Sequence, residues 1–326
     1  MINFEYMRPA SQKAAIDALT KDPAAQIIAG GTNLVDLMKK GVMNPQKLVD
    51  ITRLPLKQLE KVSNGLRIGA LALNSEVSEH ELVLTHYPLL SLALKAGASA
   101  QLRNMATVGG NMLQRTRCPY FYNTDMPCNK RQPGSGCGAL KGYNRMHAIF
   151  GASEHCIAVH PSDMCIALAA LDATVMVSGA KDRRIPFADF HRLPGDQPQK
   201  DNTLLKGELI TGVHIPDNKF QKNYHYLKVR DRTSYAFALV SVAAALEMDG
   251  STIKDVRLAM GGVAHKPWRL REAEQFLKGK TANEDNFKQA AALAMKTAKG
   301  YGHNNFKLRL APATIVETLQ VAAAKS

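Results

Sequence analysis

The chain has 326 residues, of which 45% are hydrophobic and 21% charged, with a formal net charge of +14. That length accommodates two or three domains and a large core, and no apolar run reaches the ~20 residues of a membrane span. The basic residues form only short clusters, at Lys39-Lys40, Lys181 to Arg184 and Arg269 to Arg271. This excludes a nucleic-acid-binding tract and leaves a solvated basic surface or a docking face for an acidic partner subunit.

Met1 to Tyr6 contain neither a basic region nor an apolar core, which taken alone points to the cytoplasm. Pro9 and Ser11 introduce a helix over Gln12 to Leu19, with Pro23 after it. Gln26 to Ala29 form a short apolar strand, followed by the turn Gly30-Gly31-Thr32-Asn33. A helix from Leu34 to Lys40 carries Leu34, Leu37 and Met38 on one face and ends at Gly41. Lys47 to Ile51 supply the next strand. A strand, glycine turn and helix start in this order offer backbone N–H groups to a phosphate. The spacing matches neither the P-loop nor G-x-G-x-x-G. Asn64-Gly65 marks a hairpin between Leu59 to Val62 and Leu66 to Gly69. Helices are expected over Ser75 to His80 and Leu89 to Ala98. The glycine turn then recurs as Thr107-Val108-Gly109-Gly110-Asn111. Two Gly-Gly turns flanked by Thr and Asn can grip the two phosphates of one pyrophosphate from opposite sides.

Residues 115 to 155 break all periodicity, with Pro119, Pro127 and Pro133 and a run of glycines. So long an excursion, with little core of its own, calls for a functional reason. Beyond it, Cys156 to Val159 read as a strand, Met164 to Leu171 as a buried helix entered through Ser162-Asp163, and Ala173 to Ser178 as a strand. Leu209 to His214 form an alternating strand that ends at Pro216. The texture changes near residues 217 to 222. A meander of Tyr224 to Val229, Ala236 to Glu247 and Ile253 to Ala259 follows, turning at Asp249-Gly250. Helices over Arg271 to Leu277, Asn286 to Lys299 and Pro312 to Ala324 complete a separate α+β domain.

All five cysteines, Cys118, Cys128, Cys137, Cys156 and Cys165, lie in this middle stretch. Disulfides are disfavoured by the odd number and by a core large enough without staples. Structural zinc usually shows paired knuckles of closely spaced cysteines, which are missing here. An iron–sulfur cluster needs four thiolates, which a glycine-rich loop can deliver from wide spacing. Spacing alone leaves cluster and zinc level. Position favours Cys118, Cys128, Cys137 and Cys156 as the ligand set, because Cys165 falls one turn inside the apolar helix, where a thiol packs as a hydrophobe. His147, His155 and His160 flank the segment as possible ligands, with a structural role the commoner use.

Ala29-Gly30-Gly31-Thr32-Asn33, Thr107-Val108-Gly109-Gly110-Asn111 and the Ser162-Asp163 helix start together resemble the FAD-binding subunits of the molybdenum hydroxylases. The resemblance spans the whole chain. It implies an α+β fold: a two-lobed FAD-binding domain of the vanillyl-alcohol-oxidase type over 1–217 (lobes of about 1–55 and 56–217), with a cysteine-bearing loop at 115–156, and a C-terminal α+β domain of the carbon monoxide dehydrogenase flavoprotein type over 218–326. It places FAD against Ile28, Ala29, Gly30, Gly31, Thr32, Asn33 and Leu34, against Thr107, Val108, Gly109, Gly110 and Asn111, and against Ser162, Asp163, Ile210 and Lys228. Most members lack the cysteine segment. The 4-hydroxybenzoyl-CoA reductases and periplasmic aromatic-aldehyde oxidoreductases of this family have one, which implies a [4Fe-4S] cluster on Cys118, Cys128, Cys137 and Cys156. The implied function is electron transfer within a heterotrimer. A molybdopterin subunit oxidises the aldehyde, a [2Fe-2S] subunit relays electrons, and FAD on this chain passes them to an external acceptor. Periplasmic residence then requires export on a partner's signal. A free-standing flavoprotein oxidase and a zinc-stapled structural subunit are the alternatives.

Overall fold

In the computed structural model, which describes residues 1–325, the strands fall into three sheets. Strands β1 (Glu5–Met7), β2 (Ala25–Ile28) and β3 (Lys47–Asp50) form a parallel sheet in the order β1-β3-β2. The helix Gln12–Lys21, capped by the Ser11 hydroxyl accepting from the Ala14 amide, packs Ala15 against Val49 and Ile51. The helix Leu34–Lys39 ends where Gly41 takes φ +70°, a left-handed turn that glycine adopts without strain.

Strands β4 (Leu59–Val62), β5 (Gly65–Gly69), β6 (Thr174–Ser178), β7 (Arg183–Pro186) and β8 (Leu209–Pro216) make an antiparallel sheet in the order β4-β5-β8-β6-β7. Its inward residues Leu66, Ile68, Val175 and Val213 bury against the helices Pro88–Ala96 and Asp163–Ala170. Every residue of Asp163–Ala170 is buried, as the unbroken apolar run that follows Asp163 requires.

Strands β9 (Asn223–Val229), β10 (Val240–Asp249), β11 (Thr252–Gly261) and β12 (Trp268–Arg269) form the third sheet, antiparallel throughout. Three helices, Arg271–Leu277, Glu284–Ala294 and Lys307–Ala323, contribute Leu277, Phe287, Ile315 and Leu319 to the core on one of its faces.

Several expected elements differ. Cys156 to Val159 make only an isolated bridge, Ser153 to Cys156, and β10 starts at Val240 rather than Ala236. The last helix begins at Lys307 and carries Pro312 inside it. Pro312, the sixth residue of that helix, has no N–H for the Leu308 carbonyl, and the helix continues past it. The cysteine segment has anchors that its sequence does not announce. Phe121 and Cys128 pack with Leu37 and Val42 of the first lobe. Ile149 and Phe150 enter the C-terminal core, their amides both donating to Val263 O at 2.9 and 3.0 Å. The segment therefore stitches the lobes to the C-terminal domain.

Candidate functional site

A cleft of about 1640 Å³ opens between the first lobe, the second lobe and the loop following β9, well above the usual size of a small-ligand pocket. Ile28, Ala29, Gly30, Gly31, Thr32, Asn33 and Leu34 line it from one side. Thr107, Gly109, Gly110, Asn111, Ser162, Asp163 and Ile210 line it from the other. Val108 and Lys228 lie outside its wall. Val108 is a core residue whose amide donates to Ala72 O at 3.0 Å. Lys228 reaches the cleft only through Asp163.

The two glycine turns do different things. In the first, Gly31 sits at φ +70°, and the amides of Thr32, Asn33 and Leu34 have no acceptor among the described residues. These amides open a helix and point its positive end toward whatever the cleft holds. In the second, Gly109 N donates to Ala70 O at 2.8 Å and Gly110 N to the Thr107 hydroxyl at 3.2 Å. Its amides are satisfied internally, so its glycines serve close approach. A Cβ on Gly110 would meet nothing but Thr107 Oγ1, at 3.0 Å. A Cβ on Gly30 would fall 1.8 Å from Met105 O, so the first turn is docked directly against the approach to the second.

Four polar side-chain atoms of the cleft wall are buried without a partner: Asn33 Nδ2, Asn74 Oδ1, Arg117 Nε and Gln199 Oε1. Native interiors rarely leave such groups orphaned, and a ligand rich in donors and acceptors satisfies them. Asn33 is fixed for this purpose, its Oδ1 accepting from the Arg115 amide at 2.8 Å. Ser162 caps the buried helix, accepting from Cys165 N at 3.0 Å, and donates to Asn111 Oδ1 at 2.6 Å. Asp163 accepts from Tyr226 OH at 2.7 Å and from Lys228 Nζ at 2.8 Å.

Behind the cleft the four loop and loop-end cysteines converge. Cys128 and Cys137, both free thiols, face each other across an isolated antiparallel backbone β-bridge, and Cys118 packs against the apolar cluster that contains Cys128. The Cys137 thiol is pulled below its ordinary value by its contact with Cys156, against the effect of burial, while the same contact and burial push Cys156 up. Burial holds Cys118 up at about 12, and the charges of Cys128 and Cys137 add to it. His147 Nε2 lies 3.1 Å from Cys118 Sγ and His265 Nε2 3.3 Å from Cys156 Sγ. Lys130, itself buried, pairs with Asp201, which Arg115 also holds at 2.8 Å.

Cys165 stands apart. It is fully buried, and its sulfur shares a group with His160 and His191 whose ligand atoms lie within 4.8 Å of one another. His160 packs against His191, their ring centroids 4.3 Å apart, and half-exposed His155 approaches Glu154. Of the residues that matter here, Asn74, Arg115, Asp201 and His265 were not legible in sequence. Arg115, Asp201 and His265 act on partners far along the chain, Asn74 is marked only by its orphaned Oδ1, and none sits in a motif.

Two family models cover the chain. Residues 2–218 match the FAD binding domain in molybdopterin dehydrogenase, and 224–321 match the CO dehydrogenase flavoprotein C-terminal domain. The chain belongs to the FAD-binding medium subunits of the molybdenum hydroxylases. It is 50% identical, over 99% of both chains, to the aldehyde oxidoreductase FAD-binding subunit PaoB of Escherichia coli. It is 30% identical to the glyceraldehyde dehydrogenase medium chain of Sulfolobus acidocaldarius, over 89% of this chain and 86% of that one. Carbon monoxide dehydrogenase of Hydrogenophaga pseudoflava shares the fold, with a TM-score of 0.78 at 23% identity over 99% of each chain. FAD is the cofactor of this family, and the free amides, close-approach glycines and orphaned polar atoms of the cleft fit it.

Proposed function

We propose that this chain is the electron-transfer subunit of a molybdenum-dependent aldehyde oxidoreductase, holding FAD in the cleft and one [4Fe-4S] cluster on Cys118, Cys128, Cys137 and Cys156. It would take electrons from a [2Fe-2S] subunit and pass them through FAD to an external acceptor, while a molybdopterin subunit oxidises the aldehyde. The observation that carries this reading is the convergence of four cysteines beside the flavin cleft. A cuboidal cluster takes one thiolate per iron at its corners, and these four cysteines supply one each.

The chain's own residues bind and insulate. The amides of Thr32, Asn33 and Leu34 take the pyrophosphate at a helix start, Gly110 leaves room for it, and Asn33, Asn74 and Gln199 satisfy the remaining polar edges. When bound, flavin would supply a two-electron store that fills one electron at a time and empties singly or in pairs, and the cluster would supply one-electron transfer. Aldehyde chemistry requires no general acid or base on this subunit.

The visible spectrum of the purified chain tests the reading. Flavin bands with broad iron–sulfur absorbance support it. Flavin bands alone favour a free-standing flavoprotein oxidase, and a colourless protein a structural subunit.

A further inference from the structure

We infer that His147 and His265 are hydrogen-bond donors to two of the cluster thiolates and set the cluster's reduction potential, an inference that rests on the cluster reading above. Their Nε2 atoms lie 3.1 Å from Cys118 Sγ and 3.3 Å from Cys156 Sγ. An iron-bound thiolate can only accept, so each Nε2 carries the proton. The other ring nitrogens point to the same tautomer. His147 Nδ1 and His265 Nδ1 are both buried without a partner. A proton there would leave an N–H orphaned in the interior and aim a lone pair at the sulfur.

Both rings are held by structure remote from the loop. Lys307, fully buried, donates to His147 O at 2.9 Å and to Gly262 O at 2.7 Å. Asn304 Nδ2 donates to the next carbonyl, Ala148 O, at 2.9 Å. His265 follows the β11 turn, where Val263 O accepts two loop amides and Ala264 O accepts from His160 N. The C-terminal domain thus positions both donors, 29 and 109 residues away from their cysteines. Donors to cluster sulfurs disperse their negative charge, which stabilises the more reduced state and raises the potential. Because Cys118 and Cys156 hold different irons, the two histidines act on two corners.

The test compares His147→Leu and His265→Leu with His147→Gln and His265→Gln in the complete complex, the glutamine amide standing near the position of Nε2. Iron and sulfide per chain are measured first, then the cluster potential by EPR-monitored redox titration, with the flavin potential as internal control. Each leucine variant keeps its iron and shows a lower cluster potential. The double leucine variant shows the sum of the two shifts, and each glutamine variant recovers most of its own. Iron-replete leucine variants with an unmoved potential overturn the inference. So does iron lost from the leucine and glutamine variants alike, which makes the rings ligands or props. A wild-type chain without iron removes the cluster itself, an outcome distinct from both.

Discussion

Lys228 donates to Asp163 across 2.8 Å, joining strand β9 of the C-terminal domain to the first residue of the buried helix that floors the flavin cleft. The two side chains are only 4% and 8% exposed. Tyr226 on the same strand donates to the other carboxylate oxygen, and Lys228 also donates to Ala96 O at 3.0 Å. One buried ion pair therefore fastens the two domains directly beneath the cofactor.

Removing one partner of such a pair leaves a charge buried without compensation, which costs about 3–5 kcal/mol. Lys228→Ala is expected to lose stability of that order in urea unfolding of the flavin-free chain. Lys228→Met combined with Asp163→Asn should recover most of it. Unchanged stability with selective flavin loss in Lys228→Ala would instead place Lys228 on the cofactor.

Gly110→Val and Gly30→Ala separate the two glycine turns. A side chain at Gly110 enters the cleft and meets only Thr107 Oγ1, so Gly110→Val should fold and retain little flavin. A methyl at Gly30 collides with backbone at Met105, so Gly30→Ala should fail in folding before flavin binding can be assessed. Circular dichroism with flavin quantitation distinguishes them. Full occupancy in Gly110→Val would remove that turn from the pyrophosphate site.

These contrasts show what sequence could and could not reveal. The glycine turns, the Ser162 cap and the hairpin ending at Gly65 announce themselves, because backbone geometry is a local property of glycine and capping residues. Which turn offers free amides was not legible, since it depends on Ala70 and Ala72 supplying carbonyls to the second turn alone. The anchoring of the cysteine segment through Phe121, Ile149 and Phe150 was equally hidden, because their packing partners lie in two other parts of the chain. Asp201, held by both Lys130 and Arg115, unites residues 71 and 86 positions apart.

Acid should destabilise the chain through its core histidines. Burial pushes His191 down to about 4, and burial with the nearby His191 pushes His160 well below its ordinary value, while Asp201 partly opposes both. Unfolded histidines take up protons near pH 6.5, but the folded His191 resists until about pH 4, and His160 titrates well below its ordinary value. Stability is therefore lost as pH falls through this window, by at most about 1.4 kcal/mol per pH unit for each ring. His191→Gln, which can still donate to Met112 O as His191 does at 2.8 Å, should flatten the slope by one proton's share. Urea midpoints from pH 7 to 4.5 measure it, and identical slopes would contradict it.

The ligand set is tested most directly by iron and acid-labile sulfide analysis of five single variants, Cys118→Ser, Cys128→Ser, Cys137→Ser, Cys156→Ser and Cys165→Ser. A four-iron cluster that loses one thiolate is left with an open, labile corner. The first four should therefore contain less iron, while Cys165→Ser keeps a full complement and loses about 1–3 kcal/mol of stability from a buried hydroxyl. Iron lost from Cys165→Ser but retained in Cys156→Ser, or zinc in place of iron throughout, would contradict the account.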